Sequence, residues 1–179
     1  MNKNPTNPNK LLKFFLLFIL VIIIFSLSVF KVNLLQIVDY NNDNILWERM
    51  IEAGDTFNIK YLHSVAKTPV IEFFEIKDGK ILLTGTEYQS YGAGLPTEAT
   101  QGEYIVEDDK FIIKNINQFL PEILLRVSDY AEHQFTYNQE KYLLYKEIKN
   151  ETLLQIKTQK TSYFRFIKRR VLKWLKKNI

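Results

Sequence analysis

Residues 56–90 read TFNIKYLHSVAKTPVIEFFEIKDGKILLTGTEYQS, and this stretch decides the fold. β-Branched and aromatic residues alternate with polar ones on both sides of Asp78-Gly79, a two-residue hairpin signal. A tight turn there pairs Ile76 with Ile81, Phe74 with Leu83, Glu72 with Gly85 and Val70 with Glu87. If the preceding hairpin closes with His63 opposite Val70, Tyr61 faces Glu72, Ile59 faces Phe74 and Phe57 faces Ile76. The six-residue loop 64–69 does not fix that register, so it stands as an assumption. Three strands then share one face with two apolar rows, Phe57/Ile76/Ile81 and Ile59/Phe74/Leu83. The next rows are mixed, Tyr61/Glu72/Gly85 and His63/Val70/Glu87. One end of a core face therefore turns polar. A carboxylate on an apolar face is costly unless it is paired, hydrogen-bonded or at a rim. A glycine opposite it leaves a gap where a side chain would stand.

Directly beyond lies Tyr91-Gly92-Ala93-Gly94-Leu95-Pro96. Two glycines spaced by one residue allow close backbone approach, and the proline stiffens the exit. His63, Glu72, Glu87, Gly92, Gly94, Leu95 and Pro96 are thus the candidate ligand- or partner-binding residues. They also suit a structural role, with His63 and Glu72 sealing the mouth of a sheet and the glycine stretch forming a tight turn. Catalysis is a third reading. His63-Ser64 superficially suggests a base and a nucleophile, but neighbours in a strand point to opposite faces. A metal would need more ligands than His63, Glu72 and Glu87 provide unless water completes the set. No catalytic residue, metal site or cofactor is assigned. The acidic stretch from Asp39 to Asp43 lacks the glycine and distal glutamate of a calcium loop. Asn150-Glu151-Thr152 fits a glycosylation acceptor and is read as incidental.

Working outward, further strands are expected at 36–40, 45–50, 104–106, 111–114, 123–127, 134–137, 142–146 and 153–157. Asp108-Asp109 and Asn138-Gln139 are weaker hairpin signals. Residues 116–119 are expected to form a short helical turn before Pro121. The fold class is all-β, an antiparallel sandwich or partly closed barrel, flanked by an N-terminal transmembrane helix and a C-terminal amphipathic helix.

Composition narrows the chemistry. The 179 residues contain no cysteine, which removes disulfides, Cys-based zinc sites, iron–sulfur clusters and thiol nucleophiles. Only two histidines occur, His63 and His133. Residues 1–31 carry Lys3, Lys10, Lys13 and Lys31 and no acid, and 160–179 carry eight cations and no acid. The stretch 32–159 holds all 20 acidic residues and 12 of the 24 basic ones, a charge of 12 − 20 = −8. An acidic body between basic ends argues against nucleic-acid binding, which needs cations on a folded face. It suits a protein whose ends meet anionic lipid.

Residues 14–30 (FFLLFILVIIIFSLSVF) hold no charge. At about 1.5 Å per residue they cover roughly 26 Å, just short of a hydrocarbon core of about 30 Å. Leu11, Leu12 and the stems of Lys13 and Lys31 supply the rest. The positive-inside tendency keeps residues 1–10 cytoplasmic, makes 11–31 the anchor, and puts 32–159 outside. A cleaved signal peptide is the rival reading, with Ser26-Leu27-Ser28 offering small residues for cleavage. A buried core helix is a third.

Residues 163–179 read YFRFIKRRVLKWLKKNI. Phe164, Ile167, Val171, Leu172, Trp174, Leu175 and Ile179 fall within one helical arc of about 160°. Arg165, Arg169, Arg170, Lys173, Lys176 and Lys177 fill the other side, and Lys168 intrudes on the arc. This is the pattern of a helix lying in a membrane surface, with those cations and Trp174 in contact with it. A partner-protein groove or ordinary packing on the domain are the alternatives.

The pattern His63-Ser64-Val65, Lys67-Thr68-Pro69-Val70, Glu72 and Ser90-Tyr91-Gly92-Ala93-Gly94-Leu95-Pro96 resembles a bacterial family known as domain of unknown function 1850 (DUF1850). The likeness runs from about residue 57 to 127, with weaker agreement to the hairpin around His133. The resemblance implies a small membrane-anchored or exported protein, often encoded beside TRAP transporters of the TAXI class. It implies an accessory role in solute uptake, with a TRAP-type permease or its solute-binding protein as partner, and supplies no catalytic residues. The basic C-terminal helix departs from the family's core. The expected function is a membrane-anchored, extracytoplasmic accessory protein that assists such a transporter by binding a protein or small ligand. A cell-surface hydrolase using His63 and a carboxylate, or a secreted binding protein, are the alternatives.

Overall fold

The computed structural model describes residues 8–89, 102–107 and 110–177. An apolar helix, α1 (Pro8–Val29), leads through Phe30 into β1 (Lys31–Asp39). The strands that follow are β2 (Asn44–Met50), β3 (Thr56–Leu62), β4 (Pro69–Lys77), β5 (Lys80–Tyr88), β6 (Glu103–Glu107), β7 (Lys110–Leu120), β8 (Glu122–Arg126), β9 (Gln134–Tyr137) and β10 (Glu140–Leu143). A single helical turn, α2 (Leu144–Glu147), precedes β11 (Leu153–Ser162), which runs directly into α3 (Tyr163–Lys177). Asn33–Gln159 form one compact unit. The described parts of Met1–Val32 and Lys160–Ile179 form another.

The strands make two antiparallel sheets that do not close into a barrel. One has four strands in the order β2-β1-β11-β8, the other seven in the order β10-β9-β3-β4-β5-β7-β6. Their inner faces share one apolar core. Leu35, Ile37, Leu154 and Ile156 come from the narrow sheet; Phe57, Ile59, Phe74, Ile76, Ile81 and Phe135 come from the wide one. Trp47 on β2 closes the seam, its ring 5.1 Å from Phe135, 5.3 Å from Tyr137 and 5.7 Å from Tyr142. These edge-on contacts suit the opposed charges of ring face and ring edge.

Local chemistry explains the tight turns. Asp78 and Gly79 both take positive φ, 53° and 68°, as a type I′ hairpin turn requires. Asn138 and Gln139 do the same at 44° and 69° between β9 and β10. Each of the eleven expected strands overlaps one that forms, but β1 begins at Lys31 rather than 36 and β11 runs on to Ser162, into the stretch expected as helix; three further differences bear on the site.

The first concerns residues 116–119, expected as a helical turn. They belong to β7, which bulges there: Leu83 pairs with Gln118 and Gly85 with Lys114, so three residues of β7 face Thr84 alone. Asn115 and Asn117 supply the left-handed conformations, which asparagine tolerates. The second concerns 142–146, expected as a strand; it stops at Leu143 and turns into α2. The third is register. Beyond Phe74↔Leu83 the bulge at Thr84 shifts β5 by one residue, giving Phe73↔Gly85, Glu72↔Thr86, Ile71↔Glu87 and Val70↔Tyr88. The hairpin of β3 and β4 closes two residues tighter than assumed, with Phe57↔Phe74, Ile59↔Glu72 and Tyr61↔Val70. A slip of two preserves which face each side chain takes; a slip of one reverses it.

Gly85 therefore opposes Phe73 rather than Glu72, and what it accommodates is backbone. A Cβ there would lie 2.8 Å from the carbonyl oxygen of Ile113. Gly85→Ala is expected to destabilise the domain by about 1–3 kcal/mol through that overlap. Phe135→Ala, which empties a fully buried site under Trp47, is expected to cost about 3–5 kcal/mol. Thermal unfolding of the full chain in detergent, with both variants beside wild type, measures the two effects.

Candidate functional site

The registers lay out the inner face of the wide sheet as cross-strand rows. Tyr137, Phe57, Phe74 and Leu83 form one row. Phe135, Ile59, Glu72, Thr86 and Ile113 form the next, and Tyr61, Val70, Tyr88 and Phe111 the one after. The first row is aromatic and aliphatic, and the Tyr137 hydroxyl at its end donates to Asp55 at 2.8 Å. In the second, Glu72 and Thr86 interrupt the run between Ile59 and Ile113. This interruption coincides with a break in the core. Ile59 and Phe135 belong to the main cluster, whereas Val70, Tyr88 and Ile113 form a second one, and Tyr61 packs against both.

Three ionisable side chains gather at this border. Burial holds the Glu72 carboxyl above the usual carboxylate range, because the charged form loses hydration there. Tyr61 stands one row along on β3, and burial, with the Glu72 charge adding to it, pushes its phenol up to about 12. On the other side of Tyr61 lies the ring of His133, 5.8 Å between centroids. His133 precedes β9 and is almost fully buried. Its Nδ1 accepts the backbone N–H of Ser128 at 3.2 Å, so the neutral ring carries its proton on Nε2. Burial lowers the imidazole pKa below its ordinary 6.5. The loop holding His133 is tied to the neighbouring turn: Leu62 N–H donates to the Ala131 carbonyl at 2.7 Å, and the Tyr130 hydroxyl donates to that of Ser64 at 3.4 Å.

Of the expected site residues that are described, Glu72 alone faces this border. His63 lies in the turn between β3 and β4. Its Nδ1 accepts the backbone N–H groups of Val65 (3.3 Å) and Ala66 (3.1 Å), while its own N–H donates to the Thr68 carbonyl at 3.0 Å. It caps a loop in which Lys67 has a positive φ of 54°. Glu87 is paired with Ile71 and Ile112, on the face opposite to Glu72, and meets the Lys110 ammonium at 2.8 Å. The expected grouping of His63, Glu72 and Glu87 is therefore not formed; one bulge and a tighter turn separate them. Gly92, Gly94, Leu95 and Pro96 lie outside the described residues. Asp39 accepts from Asn41 N–H (3.1 Å) and the Asn42 amide (2.7 Å), capping the β1–β2 turn.

Tyr61 and His133 complete the cluster and were not among the candidates. Tyr61 carried a signal, since it lies on the same parity of β3 as the core residues. His133 carried none, because its position depends on β9 pairing with β3 across more than 70 residues of chain. A separate concavity of about 390 Å³ opens on the outer face of the same sheet, around the partly exposed Phe73 and lined by the neutral side chains of Asn58, Thr84, Thr136, Asn138 and Gln139.

A β-sandwich preceded by an apolar helix is the class these observations define. Residues 57–144 match the model of a family described as a domain of unknown function (DUF1850). The match runs from β3 to the end of β10, so it contains the entire wide sheet and the polar border. It extends through the hairpin that follows His133. β1, β2, β11 and both long helices lie outside it. No curated protein and no solved structure matches the chain.

The border makes stability pH-dependent in two ways. With its pKa raised, Glu72 is preferentially protonated in the folded chain; that contribution is present at low pH and lost as pH rises through the raised value. With its pKa lowered, His133 contributes stability that is complete above about 6.5 and lost as pH falls through the depressed value. Glu72→Gln is expected to raise Tm near neutral pH, with the gain shrinking toward pH 4.5. His133→Gln is expected to flatten the loss of stability between neutral pH and the acid limb. Melting curves of both variants across pH 4–8 check the two signs.

Proposed function

We propose that this chain is a single-pass membrane protein whose β-domain stands outside the cytoplasmic membrane and assists a TRAP/TAXI-type solute transporter by binding a protein or small ligand. The observation that carries the reading is α1. Asn9–Val29 is long and apolar enough to cross a bilayer, and none of that window is buried. An apolar helix left this exposed is costly in water and favourable in lipid. Lys3, Lys10 and Lys13 precede the uncharged run 14–30 without an acidic residue nearby, which supports a cytoplasmic N-terminus.

The binding role draws on the polar border. A carboxyl held above its usual range beside a phenol, with a buried imidazole on the phenol's other side, is poised to exchange a proton or to meet a hydrogen-bonding group. The transporter partner rests on the family resemblance. The hydrolase alternative loses support from the geometry of His63, whose Nδ1 is engaged by two backbone amides of its own turn. A secreted form differs only in whether residues before β1 are removed.

Three measurements test the reading. The intact mass of the purified chain is expected to include α1; a product beginning near residue 30 means a cleaved signal. An alkaline phosphatase fused after Ile179 is expected to be active, and an inactive fusion with an active cytoplasmic reporter overturns the topology. A TRAP-type permease or its solute-binding protein is expected to co-purify from solubilised membranes, and its absence removes the accessory role.

A further inference from the structure

The C-terminal helix has its apolar side uncovered. Phe164, Ile167, Val171, Leu172, Trp174 and Leu175 all remain at least 37% exposed, with Trp174 at 64%. Among the described side chains of α3 the one that is buried is Phe166, at 2%, and it does not belong to that arc. At 100° per residue it lies about 160° from the arc's centre, among the cations. Its ring is held by Tyr163, 6.3 Å away, and by the guanidinium of Arg170, 5.6 Å from the centroid. An amphipathic helix that packs on its own protein buries its apolar stripe. Here the stripe is the part left open.

The start of α3 is fixed beside the end of α1. Tyr163 N–H donates to the Phe30 carbonyl at 2.9 Å, their rings meet edge-on at 6.3 Å, and the two helices are in contact. If α1 lies in a bilayer, as the reading above holds, this join brings α3 to the level where the span ends. A second crossing is excluded by composition: α3 carries Arg165, Lys168, Arg169, Arg170, Lys173, Lys176 and Lys177 without an acid, over only about 22 Å.

We infer that α3 lies flat in the headgroup layer of the bilayer that holds α1, with its apolar arc toward the acyl chains and its cations on anionic phospholipid headgroups. Two observations choose this occupant over a protein groove. The charge is uniformly positive, complementary to an anionic surface, and α3 begins at the Phe30–Tyr163 join, beside the end of a helix built for lipid. The inference rests on α1 being in a membrane but not on which leaflet the domain emerges from.

A chain without cysteine makes the test direct. Single spin labels are placed at Ile167→Cys, Val171→Cys and Leu175→Cys on the arc, at Arg165→Cys, Arg169→Cys and Lys176→Cys opposite it, and at Phe18→Cys within α1. The full chain is reconstituted in phosphatidylcholine vesicles with or without roughly 30% phosphatidylglycerol. In anionic vesicles the arc labels are expected to gain several-fold in oxygen accessibility relative to a water-soluble nickel chelate, while the opposite labels do not. That contrast should weaken without phosphatidylglycerol and at roughly 0.5 M salt, where the Debye length is about 4 Å. If all six labels stay equally open to the chelate while Phe18→Cys is lipid-embedded, α3 is off the membrane and this inference fails alone. Arc labels closed to both reagents mean a protein cover and overturn it too. Equal insertion into pure phosphatidylcholine overturns the role of anionic headgroups. A chelate-accessible Phe18→Cys label sinks the anchor and this inference together.

Discussion

Seven strands facing four is the constraint on which the domain depends. At about 4.8 Å per strand the narrow sheet is some 14 Å short of the wide one. Trp47 and its ring neighbours seal one side of the shared core, and Leu35, Ile37, Leu154 and Ile156 fill the layer beneath. Further across the wide sheet the apolar surface gathers into a second cluster around Val70, Tyr88 and Ile113. The polar side chains stand where the two meet. Glu72 keeps partial access to solvent at that border, which moderates the cost of a carboxyl beside buried aromatics.

The same constraint explains the division of labour among the acidic residues of the central hairpin. The bulge at Thr84 lets Thr86, rather than Gly85, stand beside Glu72 and sends Glu87 to the outer face, where Lys110 neutralises it. That pair is partly exposed and contributes at most modestly to stability. Gly85 is then required by the approach of the Ile113 carbonyl, a backbone reason rather than a binding one. His63 is likewise spent on its turn. Its ring accepts two backbone amides of a tight connection, as side-chain acceptors commonly do in loops. What the His63-to-Glu72 stretch builds here is the geometry of a hairpin end, with Glu72 facing the inner side of the sheet.

Most of the architecture was legible in the chain because strand formation is a local matter of alternation and turn chemistry. Asp78-Gly79 and Asn138-Gln139 announced their hairpins through the φ values they tolerate. The faces of β3 and of β4 from Val70 to Ile76 also followed from parity, which a two-residue slip leaves unchanged. The candidate site was legible only in part. Glu72 stood out as a carboxyl on an apolar face, and Tyr61 shared its row. Glu87 was assigned to that face because nothing in residues 80–88 declares that Thr84 will bulge; the bulge answers the two extra residues of β7, far along the chain.

The two ends of the molecule divide the same way. Seventeen uncharged residues, a hairpin turn, an alternating pattern and a basic amphipathic helix are properties of short segments, so the sequence by itself determined the anchor-like helix, the strands and the fold class. Tertiary structure alone decided what meets what. Pairing of β9 with β3 brought His133 to Tyr61, a bulge turned Glu87 away from Glu72, and the Phe30–Tyr163 join set α3 beside α1. These are contacts between residues distant in the chain, each chosen by the balance of packing across whole sheets, and no local pattern encodes that balance.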